Sequence, residues 1–192
     1  KNIKIKYVEN KEYLTTHVNY SLYLASDELN DNFILIDGDM ITEPLFLSDF
    51  LNDEHENLMA VDFSNQNKRN VVITKVINDK ITAIGKNIEK LDDENFARHI
   101  GISKFSKDFT QKLSAKIKTL IKNNQKNTIY QDAINELLDT NTVNIFNSRK
   151  YNWFEIDTIS EFEKAKKIFS DTEDLKQKAF EFGADDAYIL LP

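Results

Sequence analysis

At 192 residues, with 41% hydrophobic and 11% aromatic content, the chain is long enough to bury one sizeable core, and one folded domain is the expectation. Its 25 basic and 32 acidic residues leave a net charge of −7, and without a local basic patch that balance disfavours a nucleic-acid partner. The absence of cysteine excludes disulfides, thiolate catalysis and thiolate-bound zinc, and three scattered histidines argue against a histidine-rich site, so any metal would rest on carboxylates, which suit magnesium.

In chain order, residues 1–8 alternate apolar and polar side chains, a strand pattern and not a signal peptide. No run approaches the roughly 18 apolar residues of a membrane span, so no membrane partner and a cytoplasmic protein are expected. Val18, Leu22, Ala25 and Leu29 recur at helical intervals and predict a helix over 19–29. Phe33-Ile34-Leu35-Ile36 then runs uninterrupted into Asp37-Gly38-Asp39, as a doubly buried parallel strand would. A short helix follows Pro44 over 45–51, and strands are predicted over 58–63 and 71–77. The second of these enters a hairpin through the two-residue turn Asn78-Asp79. Residues 101–105 read as a short strand, 107–121 as a helix through Phe109, Leu113, Ile117 and Leu120, and 129–138 as another helix. A strand over 153–157 and a helix over about 160–169, opened by a Thr158/Glu161 capping box, complete the domain at 1–169. Residues 170–192 are a tail, with a terminal helix over 179–191 or a link to a fused C-terminal domain as the alternatives.

Two acidic pairs stand at strand ends in this α/β pattern. Asp37 and Asp39 lie where open sheets bind ligands, and the Gly between them permits close backbone approach. The competing reading is a polar turn that closes the strand. Glu155 and Asp157, two apart on a strand, would project together beside Trp153, unless Asp157 caps the next helix and Glu155 is merely solvated. Together the pairs suggest one shared magnesium site.

Tyr20-Ser21-Leu22-Tyr23-Leu24-Ala25, ILIDGDM over 34–40, Ile84-Gly85-Lys86, GISKFS over 101–106, Tyr130-Gln131-Asp132-Ala133-Ile134 and WFEIDT over 153–158 together resemble, in this order, one known family. It is the phosphocholine cytidylyltransferase branch of the sugar-phosphate nucleotidyltransferase superfamily, and the resemblance covers residues 1–169. It implies a Rossmann-like mixed sheet of the nucleotide-diphospho-sugar transferase type, truncated at its N-terminus. It also implies transfer of CMP from CTP to a phosphorylated alcohol such as phosphocholine, with release of pyrophosphate. Magnesium would then be held by Asp39, Glu155 and Asp157, and Lys86 would steady the acceptor phosphate. His17, Ser21 and Asp37 would approach the nucleotide, and a trimethylammonium head would meet the aromatic faces of Tyr130 and Trp153 by cation–π contact with Asp132 as the nearby acid. Two rivals stay open: a sugar-1-phosphate or aminoalkylphosphonate acceptor, and a binding module of the same fold without catalysis.

The chain departs from the family pattern twice. His17-Val18 stand where the family carries paired asparagines, which leaves base recognition open, with a surface histidine as the alternative. No glycine precedes Gly38, so the family's Gly-rich phosphate loop is lacking, and this piece alone is expected to be inactive.

Overall fold

One long strand, Phe96–Phe105, organises the molecule, with nine of its ten residues buried. The computed structural model describes residues 4–64, 71–86, 88, 95–169 and 186–188. In chain order they form β1 (Lys4–Lys6), α1 (Val18–Leu24), β2 (Phe33–Ile36), β3 (Met40–Thr42), α2 (Pro44–Asn52), β4 (Leu58–Asp62), β5 (Ile73–Ile77), β6 (Lys80–Gly85), β7 (Phe96–Phe105), α3 (Lys107–Lys122), α4 (Tyr130–Asn135), β8 (Asn144–Asn147), a 3-10 turn (Ser148–Lys150), β9 (Trp153–Glu155), α5 (Ile159–Phe169) and β10 (Asp186–Tyr188).

The main sheet has six strands in the order β2-β7-β4-β8-β6-β5, with β5 also reaching β7. The β4–β8 pair is parallel and its other pairings are antiparallel, so the sheet is mixed. Strand β7 pairs with β5 through Phe96–Arg98 and with β2 through Ile102–Phe105, and Gly101 with φ +77° sits between the two halves. Side chains of β4 alternate between two cores, as strand geometry requires. Met59 joins a core built with Leu22, Phe105, Phe109, Leu113 and Ile134, which α1, α3 and α4 cover. Leu58 and Ala60 join the opposite core with Phe46, Phe50 and Tyr151, which α2 covers. The result is an α/β sandwich with a mixed central sheet. Among the described residues, no helix is long and apolar enough to cross a membrane.

The strongest sequence signals hold. Helix α3 is capped by the Ser106 hydroxyl, which accepts from Phe109 N–H at 3.3 Å, and its periodic apolar residues are buried. The hairpin turn places Asn78 and Asp79 at φ 51° and 58°, with Ile77 opposite Lys80, as a two-residue primed turn demands. At α5, Glu161 N–H donates to the Thr158 hydroxyl at 3.2 Å, and the Glu161 carboxylate accepts from Thr158 and from Asp157 N–H.

Six expectations are corrected. Strand β2 is an edge strand antiparallel to β7, and only Leu35 of its four residues is buried, because an apolar run signals burial but carries no strand direction. Helix α1 stops at Leu24, and the turns that follow through Ser26 and Glu28 take up the backbone groups expected to continue it. Helix α4 stops at Asn135 and strand β9 at Glu155, each shorter than the pattern predicts. Residues 101–105 are the end of a strand twice as long, since the buried polar residues Arg98 and His99 break the apolar signal in its first half. Residues 186–188 form a strand parallel to β1 and not part of a helix, and the rest of the tail lies outside the described residues.

Candidate functional site

The chain leaves β2 at Asp37, turns through Gly38 and returns as β3, with Met40 N–H donating to the Asp37 carbonyl at 3.2 Å. Strand β3 pairs antiparallel with β9, so Met40 faces Glu155, and Ile156 N–H donates to the Asp39 carbonyl at 2.9 Å. This two-stranded ribbon carries Glu155 to the end of β2, more than a hundred residues away in sequence. Asp37, Asp39 and Glu155 all line one cleft of about 900 Å³, and Lys86, His17 and Ser21 also line it.

Asp37 sits at the back. Its N–H donates to the Gly101 carbonyl at 2.8 Å, and its Oδ1 accepts from the buried Tyr130 hydroxyl at 3.2 Å. Burial pushes its carboxyl up to about 7, with Asp39 and then Glu155 adding repulsion and the Tyr130 hydrogen bond opposing them. Burial, reinforced by Asp37, raises the Tyr130 hydroxyl well above its ordinary value, so it serves as a donor. The Asp37 carboxyl therefore senses both Asp39 and Glu155 across the cleft floor.

A cation that the sequence reading did not single out answers them. Arg98, on β7, is 2% exposed and pairs through Nη2 with Glu155 Oε2. Its guanidinium lies over the Trp153 ring, 5.1 Å from the centroid. The neighbouring His99 is buried between Gln131, at 3.4 Å from Nδ1, and Ser103, at 3.2 Å from Nε2. Burial pushes His99 down to about 4, helped by the Arg98 charge and opposed by a hydrogen bond with the Ile102 backbone, so it is a neutral link in the wall.

The opposite rim is set by the start of α1. His17 is its N-cap, and Nδ1 accepts from Val18 N–H at 2.9 Å, which leaves the proton on Nε2. Its pKa is lowered by burial and then by Lys86, while Asp132 pulls the other way, so these three side chains form one electrostatic group. Ser21 is tied to Asn10, whose amide donates to Ser21 Oγ and Thr16 Oγ1 at 3.0 Å each. Asn10 Oδ1 accepts from Glu12 N–H, so this one buried side chain shapes the loop over 10–16.

Of the residues singled out from sequence, Asp37, Asp39, Glu155, Lys86, His17, Ser21 and Tyr130 are brought together at the cleft. Asp157, Asp132 and Trp153 do not line it. Asp157 lies beyond the end of β9, exposed, so the alternation that would align it with Glu155 does not apply. Asp132 accepts from Ile129 N–H at 3.2 Å at the start of α4. Trp153 is the platform for Arg98, and Tyr130 is 1% exposed. Arg98, Asn10, Gln131 and Gly101 were missed, although an isolated glycine inside a strand is a signal of close backbone approach.

Among the described residues, no three His, Cys, Asp or Glu side chains are grouped closely enough to cage a metal ion. Magnesium commonly uses one or two protein carboxylates and completes its shell with water and substrate phosphate. The all-oxygen donors Asp39 and Glu155, on facing strand ends and open to the cleft, fit that use.

No family model matches the chain. Among solved structures it is similar to an inositol-1-phosphate CTP transferase from T. maritima, with a TM-score of 0.62 at 21% identity over 84% of this chain and 64% of that one. It is also similar to a putative glucose-1-phosphate thymidylyltransferase from Bacillus anthracis, with a TM-score of 0.65 at 18% identity over 86% of this chain and 64% of that one. A CTP:phosphocholine cytidylyltransferase from Streptococcus pneumoniae gives a TM-score of 0.61 at 20% identity over 83% of this chain and 67% of that one. The chain thus shares the fold of these proteins and spans about two thirds of their length.

Proposed function

We propose that this chain carries part of a nucleotidyltransferase site, which moves a nucleotidyl group, CMP from CTP in our reading, onto a small phosphorylated alcohol such as phosphocholine. The observation that carries the reading is the cleft in which Asp37, Asp39 and Glu155 meet Lys86 and a neutral His17, in a fold shared with proteins named for nucleotidyl transfer.

In this reading Asp39 and Glu155 would hold magnesium, which when bound neutralises phosphate charge. The chain's own residues do the rest. Lys86 holds the acceptor phosphate at the rim, and His17 donates from Nε2 to the ribose or base. A phosphate oxygen of the acceptor attacks the α-phosphorus, the bond to the β-phosphate oxygen breaks, and pyrophosphate leaves. The attacking oxygen is already anionic, so positioning and charge do the work and no general base is needed. Asp37, held half-buried under the site, excludes water from the floor and fixes the Asp-Gly-Asp turn.

One observation favours a second acceptor class. With Tyr130 buried and Arg98 already over the Trp153 ring, little aromatic face is left for a quaternary ammonium, which suits a sugar 1-phosphate or an aminoalkylphosphonate. Pyrophosphate release by the complete protein, measured for each nucleoside triphosphate against a panel of acceptors, separates the readings. Release with CTP and phosphocholine supports the first, and release only with sugar phosphates or phosphonates the second. No release with any pair would leave a binding module.

A further inference from the structure

The Arg98–Glu155 pair calls for an explanation beyond stability. Arg98 is 2% exposed against 29% for Glu155, and replacing such a pair by apolar side chains commonly costs a protein nothing, so stability alone does not account for a guanidinium in the middle of β7. One of its neighbours across the ladder is Asp62, whose Oδ1 accepts from Ser64 N–H and hydroxyl at 2.7 and 2.6 Å, and among the described residues no hydrogen bond joins that carboxylate to Arg98. Among the described residues, Arg98 Nε has no hydrogen-bond partner, so the guanidinium is held by Glu155 on one side and the Trp153 ring on the other. Glu155 in turn gives Oε2 to Arg98, and no hydrogen bond among the described residues engages Oε1.

We infer that Arg98 is a positioning residue: it anchors Glu155 by one carboxylate oxygen, with Trp153 as the platform that fixes the guanidinium plane, and leaves the second oxygen for a divalent cation in the cleft. The inference rests on the reading of Asp39 and Glu155 as cation ligands. It assigns Trp153, which does not line the cleft, a role behind the site. Arg98→Lys keeps the charge and removes the planar fork, so it isolates geometry from electrostatics. Partners that orient a metal ligand typically change metal affinity by about 10- to 100-fold when lost.

The test is Mn2+ binding to the complete protein, followed by electron paramagnetic resonance without nucleotide. Arg98→Lys should weaken Mn2+ binding about tenfold, Glu155→Gln at least as much, and the double variant no more than Glu155→Gln alone. Trp153→Leu, which leaves both charges in place, should weaken binding in the same direction and serves if Arg98→Lys does not fold. Wild-type affinity in a folded Arg98→Lys or Trp153→Leu protein, with Glu155→Gln impaired, overturns the inference and spares the cation site. Unchanged affinity in both Asp39→Asn and Glu155→Gln overturns the cation site and the inference with it.

Discussion

A Cβ added to Gly101 would lie 2.7 Å from Asp37 Oδ2 and 3.0 Å from Asp37 Cβ, so the carboxylate at the back of the cleft occupies the space a side chain on β7 would need. The same glycine carries φ +77°, a conformation that other residues adopt only at a cost. Gly101→Ala should therefore destabilise the protein by about 2–3 kcal/mol, from strain and overpacking together. Adding Asp37→Ala should recover part of that loss but not the share that belongs to φ. Denaturant titration of the two variants measures both shares, and a neutral Gly101→Ala would mean that Asp37 is free to move away.

Asp37 should also make stability fall with rising pH. Below its ordinary 3.8 the carboxyl is protonated in the folded and the unfolded chain, and it contributes nothing. Above that value the unfolded chain releases the proton while the folded chain keeps it up to about 7, so stability declines across that window and stays lower beyond it. The full displacement corresponds to at most ~4 kcal/mol, and the partial exposure of the group reduces the expected effect to roughly 2 kcal/mol. Asp37→Asn should be more stable than the parent at pH 8 in metal-free buffer and match it near pH 4. Parallel stability curves for the two proteins from pH 4 to 8 would show that the group ionises freely.

Lys86→Ala should separate acceptor binding from chemistry. The side chain is exposed at the cleft rim, so its loss should change stability by no more than about 0.5 kcal/mol. If it steadies the acceptor phosphate, KM for the acceptor should rise about tenfold with a smaller change in kcat and none in KM for the nucleotide. An effect confined to the nucleotide would move Lys86 to the other substrate.

Much of this site could be read from the sequence because it is built from short, local signals. ILIDGDM joins an apolar run to a turn, and WFEIDT joins a strand to a helix cap, so Asp37, Asp39 and Glu155 stand out before any coordinates. What stayed hidden depends on pairing. The four residues of β2 cannot reveal that their partner is antiparallel, and β8, four residues that begin and end with asparagine, has no alternation long enough to notice. Arg98 interrupts an apolar stretch, and only the arrival of Glu155, 57 residues later, explains its burial. For Asp157 the alternation argument does not reach: it is valid only while the strand lasts, and this one ends at Glu155.

The central claim is that Asp39, on the β2–β3 turn opposite β9, serves the reacting phosphates. Its direct test is turnover of the complete protein and of its Asp39→Ala variant, followed by pyrophosphate release under saturating substrates. The account predicts a loss of about a thousandfold or more, with thermal stability nearly unchanged because the side chain is exposed. Turnover near that of the parent would place the chemistry elsewhere and contradict it.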